Sequence, residues 1–185
     1  MVRGDVASAS LLGDAGTARG NTVWADAMAA IIADTSNDFY YGSDNDWRAL
    51  NLGGAIRALV GTGYGRVYQD GVTAMLSDLI SMIDADGSIG GWVQDTAYAV
   101  PAFNSVGRDS RAYANDLGRW LATQQTADGG WLEAGDEYPE VDGEALRALA
   151  STIGRHHMTG GFAYGQMGSH SWKHRANAPA VAFTG

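Results

Sequence analysis

The residues whose type and placement could do chemistry are three recurring aspartates and one glutamate. Asp46, Asp95 and Asp142 each stand at the start of an apolar, Ala-rich stretch, roughly 47–49 residues apart, the scale of a two-helix repeat. Glu144 follows Asp142 closely. Two carboxylates held at a suitable separation can serve as general acid and general base, the chemistry of glycoside cleavage. Asp95, Asp142 and Glu144 are therefore the candidate catalytic groups. The aspartates also have a plainer reading. An Asp at a helix start accepts hydrogen bonds from the free N–H groups of the first turn, worth about 1 kcal/mol, and recurrence at one structural place is what capping predicts.

A second concentration of reactive side chains lies near the C-terminus. The stretch from Gly165 to Arg175 brings His170, Trp172, His174 and Arg175 together with Lys173, the chain's only lysine. His170 and His174 have the spacing of two metal ligands on a helix. Gly168 and the lack of a neighbouring acidic ligand argue against that, so no metal is expected. A polar, aromatic loop at the mouth of a cavity would instead contact a sugar or a carboxylate, and a solvated loop is the alternative. Asp46, Trp47 and Tyr98, near helix starts, join His170, Trp172, His174 and Arg175 as candidate substrate-binding residues. Asp44-Asn45-Asp46 and Asp84-Ala85-Asp86-Gly87-Ser88 are loosely similar to calcium loops but lack the closing Glu and the spacing of an EF-hand, which leaves Asp-Gly turns. Phosphate loops and nucleophile elbows are absent from the sequence, and no cofactor is expected.

The elements that must position these groups show themselves when the chain is laid over itself. Gly90-Gly91-Trp92 precedes Asp95, Gly129-Gly130-Trp131 precedes Asp142, and Gly160-Gly161-Phe162 precedes Asn177, while Tyr40-Tyr41-Gly42 precedes Asp46. The glycines permit a tight turn and the aromatic can plug the gap between neighbouring hairpins. The stretch Asn51 to Val60 is nearly apolar all round, as an inner helix must be. Trp24, Met28, Ile31 and Ile32 form an apolar stripe, as do Val72, Met75, Leu76, Leu79, Met82 and Ile83, and again Tyr113, Leu117, Trp120 and Leu121. Those stripes predict amphipathic outer helices. Alternation of inner and outer helices predicts an all-α chain, built as an α/α toroid of tandem helical hairpins.

Composition narrows the partners. The chain has 185 residues and a net charge of −9, with Asp far more frequent than Glu. Such a surface repels phosphate backbones, so nucleic acid is an unfavourable partner. Apolar residues at 45% fit a folded chain with a core. No apolar run reaches the length of a membrane span. The first twenty residues lack the continuous apolar core of a signal peptide. Cysteine is absent, which removes disulfides and thiol chemistry without indicating a compartment.

One segment carries a family resemblance. Trp120-Leu121-Ala122-Thr123-Gln124-Gln125-Thr126-Ala127-Asp128-Gly129-Gly130-Trp131 resembles the QW motif of the squalene-cyclase and prenyltransferase repeat family. The segment around Gly90-Gly91-Trp92 and Asp95 is a weaker copy. The resemblance implies the terpenoid-cyclase type of α/α toroid, with Gln124 or Gln125 capping an outer helix and Trp131 stacked beside it. The acidic Asp-x-Asp-Asp motif with which squalene-type cyclases protonate an alkene does not stand in this sequence. The zinc set of protein prenyltransferases and the thioester of complement-type toroids both need a cysteine, which is missing as well.

These readings converge on one domain over residues 1–185, with an irregular lead at 1–20 and a Gly-rich loop at 159–176. It is expected to be an open arc of about three and a half hairpins, either a fragment or a protomer completed by another copy or an adjoining domain. The functional expectation is a non-cyclase binding or scaffolding module with a small-molecule or carbohydrate ligand, within a longer exported protein. The alternatives are a carbohydrate-active lyase or hydrolase on an α/α toroid, and an incomplete, divergent relative of the terpene cyclases.

Overall fold

The computed structural model describes residues 22–158, and side chains over 26–153. The lead at 1–20, the loop at 159–176, the Gly160-Gly161-Phe162 copy with Asn177, and the candidates His170, Trp172, His174 and Arg175 lie outside the described residues.

The chain is all-α apart from one short hairpin. Seven helices are described: α1 (Thr22–Ala33), α2 (Asp38–Tyr41), α3 (Arg48–Gly61), α4 (Gln69–Ser81), α5 (Val93–Val106), α6 (Arg111–Thr123) and α7 (Pro139–Met158). Between α6 and α7, β1 (Leu132–Glu133) and β2 (Asp136–Glu137) pair antiparallel. The sequence reading placed no strand there. Gly135, with φ of 93°, and Ala134, with φ of 54°, make the turn that closes the hairpin. No described helix is long and apolar enough to cross a membrane.

α3, α5 and α7 pack in a row, with α5 between the other two, while α4 lies against α3 and α6 covers α5 and α7. α5 and α7 run parallel. Gln94 near the start of α5 bonds Glu144 early in α7, and Asn104 near its end bonds Ser151 late in α7, at 2.9 and 2.7 Å. The apolar stretch in α3 is covered as expected: Leu52, Ala55, Ile56 and Leu59 are fully buried. The outer stripes hold too, with Met75, Leu79, Leu117 and Leu121 in the core. Ile31, 52% exposed, and Tyr113, 37% exposed, are exceptions. Ile31 is turned off the side that buries Ala29 and Ile32, because neighbours in a helix point about 100° apart.

α3 and α5 approach closely enough to require glycine. A Cβ on Gly53 would stand 2.8 Å from the carbonyl oxygen of Tyr98 and 3.0 Å from its carbonyl carbon. Backbone cannot move aside without shifting the whole of α5. Gly53→Ala is therefore expected to destabilise by about 1–3 kcal/mol despite alanine's better helix propensity. Gly143, in α7, has nothing within 4 Å of its ideal Cβ. Gly143→Ala should stabilise, by up to about 1 kcal/mol. Opposite shifts of the urea midpoint would establish that packing, and not propensity, selects Gly53.

The turns that join the hairpins share a construction, in a register different from the one the Gly-Gly pairs suggest. Asp84 N–H donates to the Ser88 carbonyl and Gly87 N–H to that of Asp84, at 2.8 and 3.0 Å; Thr126 to Gly130 and Gly129 to Thr126 repeat this at 2.9 and 3.0 Å. Gly87 and Gly129 both have positive φ. Ile89 then matches Trp131. Ile89 bridges Ile83, Trp131 bridges Gln125, and both are buried. Trp92 is 47% exposed and plugs nothing. In the earlier repeat the plug is Tyr41, whose hydroxyl donates to the Ile32 carbonyl at 2.7 Å, as the Trp131 indole N–H donates to that of Leu121 at 2.8 Å. Burial pushes the Tyr41 phenol well above its ordinary pKa.

The helix starts also differ from the expectation of Asp caps. α3 begins after Asp46, at Arg48, behind Trp47, which makes no side-chain cap. α5 begins before Asp95, and α7 begins at Pro139, before Asp142. Proline is pre-shaped for the first helical position, where its missing N–H costs nothing, so it draws the start of α7 upstream. Asp95 and Asp142 thus sit inside the first turns of their helices, not at the caps.

Candidate functional site

The N-terminal ends of α5 and α7 gather the described part of the polar constellation. Its members are Gln94, Asp95 and Tyr98 from α5, Glu133 from β1, and Glu144 and Arg147 from α7. Val93 starts α5 with an unsatisfied N–H, as the first turn of any helix does. The carboxylate of Glu133 answers it from the next repeat: Val93 N–H donates to Oε2 at 2.8 Å and Gln94 N–H to Oε1 at 3.3 Å. The cap expected of Asp95 is thus supplied from another repeat.

Glu144 sits half-buried between the two helices. The Gln94 amide donates to its Oε2 at 2.9 Å, and the Tyr98 hydroxyl bonds the same carboxyl group. Burial raises the Glu144 pKa; Glu140's charge works in the same direction, while the bonds from Gln94 and Tyr98 and the charge of Arg147 oppose it. The phenol of Tyr98 is pushed up to about 12, first by burial and then by the charge of Glu144. Arg147 lays its guanidinium over the Tyr98 ring, 5.7 Å from the centroid, a cation–π contact. Gly53 meets the Tyr98 backbone from the α3 side. The ring, carried by α5, is therefore met by Arg147 of α7, and the backbone beneath it by α3.

The raised Glu144 pKa has a stability consequence of definite sign. Between the ordinary carboxyl pKa and its raised folded value, the folded chain holds more protons than the unfolded one. Stability then falls as pH rises through that window. Glu144→Gln should flatten this part of the profile, and urea midpoints of both proteins measured from mildly acidic to neutral pH will reveal it. Identical profiles would rule the assignment out.

Asp142 does not join Glu144. Residues two apart on a helix leave it on different faces, and Asp142 accepts from the Trp131 backbone N–H at 2.7 Å. Its neighbour is Glu137, whose pKa Asp142's charge raises. In the preceding turn the Thr96 hydroxyl does the same service, accepting from Ile89 N–H at 3.0 Å. Asp46 and Trp47 lie at the approach to α3, where the Asn45 side chain organises the turn. It accepts from Trp47 N–H at 2.9 Å and donates to the carbonyls of Phe39 and Tyr40. The structure thus brings Tyr98 and Glu144 together, places Asp95 in the first turn of the helix that carries Tyr98, and commits Asp142 to the Trp131 turn.

Gln94, Glu133 and Arg147 belong to the constellation and were not singled out from the sequence. Arg147 was within reach, because i,i+3 spacing from Glu144 puts both on one side of a helix. Glu133 carried no local signal, since its partners are some forty residues away in the chain. Gln125 donates to the Gly129 carbonyl at 2.8 Å within its own turn, and Gln124 to the Thr123 hydroxyl at 3.1 Å. Among the described residues, no group of three or more His, Asp or Glu side chains could hold a metal ion.

What the constellation can do chemically is bounded by these bonds. Glu144 retains a proton to higher pH than an ordinary carboxyl, and Tyr98 stays a neutral donor. No known family, no curated protein and no solved structure matches this chain.

Proposed function

We propose that the chain is an α/α-toroid-type repeat module, an open arc whose role is binding or scaffolding, not catalysis. The observation that carries this reading is the use made of the polar groups at the inner-helix starts. Glu133 caps α5, Asp142 holds the Trp131 turn, and Gln94 bonds Glu144 across repeats. Each of these acidic groups already has a partner that fixes one repeat or turn to another. Repeat arrays derive stability from such nearest-neighbour interfaces and offer an extended surface to partners. The resemblance of residues 120–131 to the QW motif supports the toroid form, as does the row of α3, α5 and α7 backed by α4 and α6.

The test combines unfolding with a search for turnover. Glu133→Ala and Asp142→Ala are each expected to lower stability by about 0.5–2 kcal/mol, the range for a lost cap or a lost buried partner. Incubation of the chain with acidic polysaccharides, neutral polysaccharides and a polyprenyl diphosphate should leave all of them intact. Turnover of any one, abolished by Asp142→Asn at unchanged stability, would overturn the reading.

A second reading rests on one specific observation, the Tyr98–Glu144 pair. A half-buried carboxyl that holds its proton beside a neutral phenol is the arrangement of a general acid. On this reading the module is a carbohydrate-active enzyme with Glu144 as acid and Arg147 and Asp95 around the substrate. It requires that Glu144→Gln abolish cleavage of a polysaccharide while the fold is retained.

A further inference from the structure

A groove of about 490 Å³ lies between the Ile83–Gly87 turn and α6. Its volume falls in the range of small-molecule sites. Tyr113, Asp116 and Trp120 line it from α6, joined by Arg119, and Asp84 and Asp86 face them from the turn. Tyr113 and Trp120 are seven residues apart, which sets them about 10 Å apart along one side of the helix. Both rings are held. Tyr113 stacks on Phe103 with centroids 5.3 Å apart and is still 37% exposed. Trp120 packs against the core and bonds Asp86 through its side chain. The Ser88 hydroxyl and N–H, at 2.7 and 2.9 Å, and then Trp120, keep the Asp86 carboxyl below its usual range.

We propose that this groove is a binding site for an amino-sugar oligosaccharide, with pyranose rings lying on Trp120 and Tyr113 and the ring amines facing Asp84, Asp86 and Asp116. Rigid aromatic rings present stacking surface at little entropic cost. A carboxylate has about four lone-pair positions. Asp84, which accepts from Gly90 N–H at 2.8 Å, and Asp86 therefore keep acceptor capacity for hydroxyls and ammonium groups. The charge of the groove selects among sugars. Three carboxylates face one guanidinium, and Arg119 is paired with Asp116, so uronates and sulfated sugars are repelled. The site goes beyond the module reading and does not depend on it, because its lining shares no residue with the Glu133, Asp142 and Glu144 bonds.

The experiment is calorimetric titration of the full chain with the hexamer of glucosamine, at moderate salt. Hexalysine serves as a cation without sugar rings, and a galacturonate hexamer as a sugar of the wrong charge. Saturable binding of the glucosamine hexamer is expected, weakened at least tenfold by Tyr113→Ala and by Asp86→Asn. Trp120→Phe, which keeps the core packed, should weaken it several-fold. Unfolding midpoints establish that each variant is folded, and Tyr113→Ala, at an exposed ring, secures the test if Trp120 variants are unstable. No saturable binding, equal binding of hexalysine, or unchanged affinity in Tyr113→Ala overturns the proposal. None of these outcomes bears on the unfolding and turnover results that decide the module reading.

Discussion

Trp131→Ala is expected to lower the stability of this chain by about 3–5 kcal/mol, the range for removing a large aromatic from a core. Trp131 is 1% exposed and is the largest fully buried side chain described. Its loss would leave a void between α6 and α7. It would also take away the indole N–H that meets the Leu121 carbonyl at 2.8 Å and leave that carbonyl only the Gln124 N–H at 3.2 Å, so a lost hydrogen bond adds to the cost. Native domains have only about 5–15 kcal/mol in total, so the variant should be close to unfolded at ambient temperature. Urea titration followed by far-UV circular dichroism will measure the shift. A midpoint within about 1 kcal/mol of wild type would mean that Trp131 is not the plug of its repeat.

The second large effect tests the register of the repeats. If Ile89 is the counterpart of Trp131, Ile89→Ala should cost about 2–4 kcal/mol, as buried isoleucines do, because Ile89 is 2% exposed. Trp92→Ala, at an exposed ring, should change stability by less than about 1 kcal/mol. Residue size alone would forecast the reverse order. Side-by-side unfolding of the two variants, with equal m-values to license the comparison, decides which residue fills the gap. A larger loss from Trp92 would return the repeat to its Gly-Gly-Trp register.

That register shows where sequence reading of this chain succeeds and fails. Gly90-Gly91-Trp92 and Gly129-Gly130-Trp131 are alike in letters, yet they occupy different places in their turns. The turn is built by Asp86 and Gly87 in one case and by Asp128 and Gly129 in the other, where backbone bonds and positive φ recur. Letter identity weighs a tryptophan heavily. The turn asks only for a positive-φ glycine and then an apolar side chain, and isoleucine meets that need. Asp34 with Ser36, at 3.1 and 2.6 Å, repeats the side-chain bonds of Asp86 with Ser88, although the letters around them differ.

The candidate site divides in the same way. Tyr98 and Glu144 were legible as residues near inner-helix starts, and the structure joins them through one carboxyl group. Asp95 and Asp142 were legible as recurrent, but not as residues inside their helices, since a helix start can move by a turn when a proline or a distant cap supplies what the first N–H groups need.

By itself, the sequence determined that the chain would be helical, that α3 would be covered, and that the apolar stripes of α4 and α6 would face inward. Hydrophobic periodicity is local, and burying apolar surface is the dominant favourable term wherever that surface lies. Only the tertiary structure decided that Glu133 caps α5, that Asp142 serves Trp131, that Gly53 makes room for Tyr98, and that Trp120 and Tyr113 border one groove with Asp84 and Asp86. Hydrogen bonds and close contacts act over a few ångströms. Which residues come within that reach depends on how the helices pack, and no spacing along the chain encodes it.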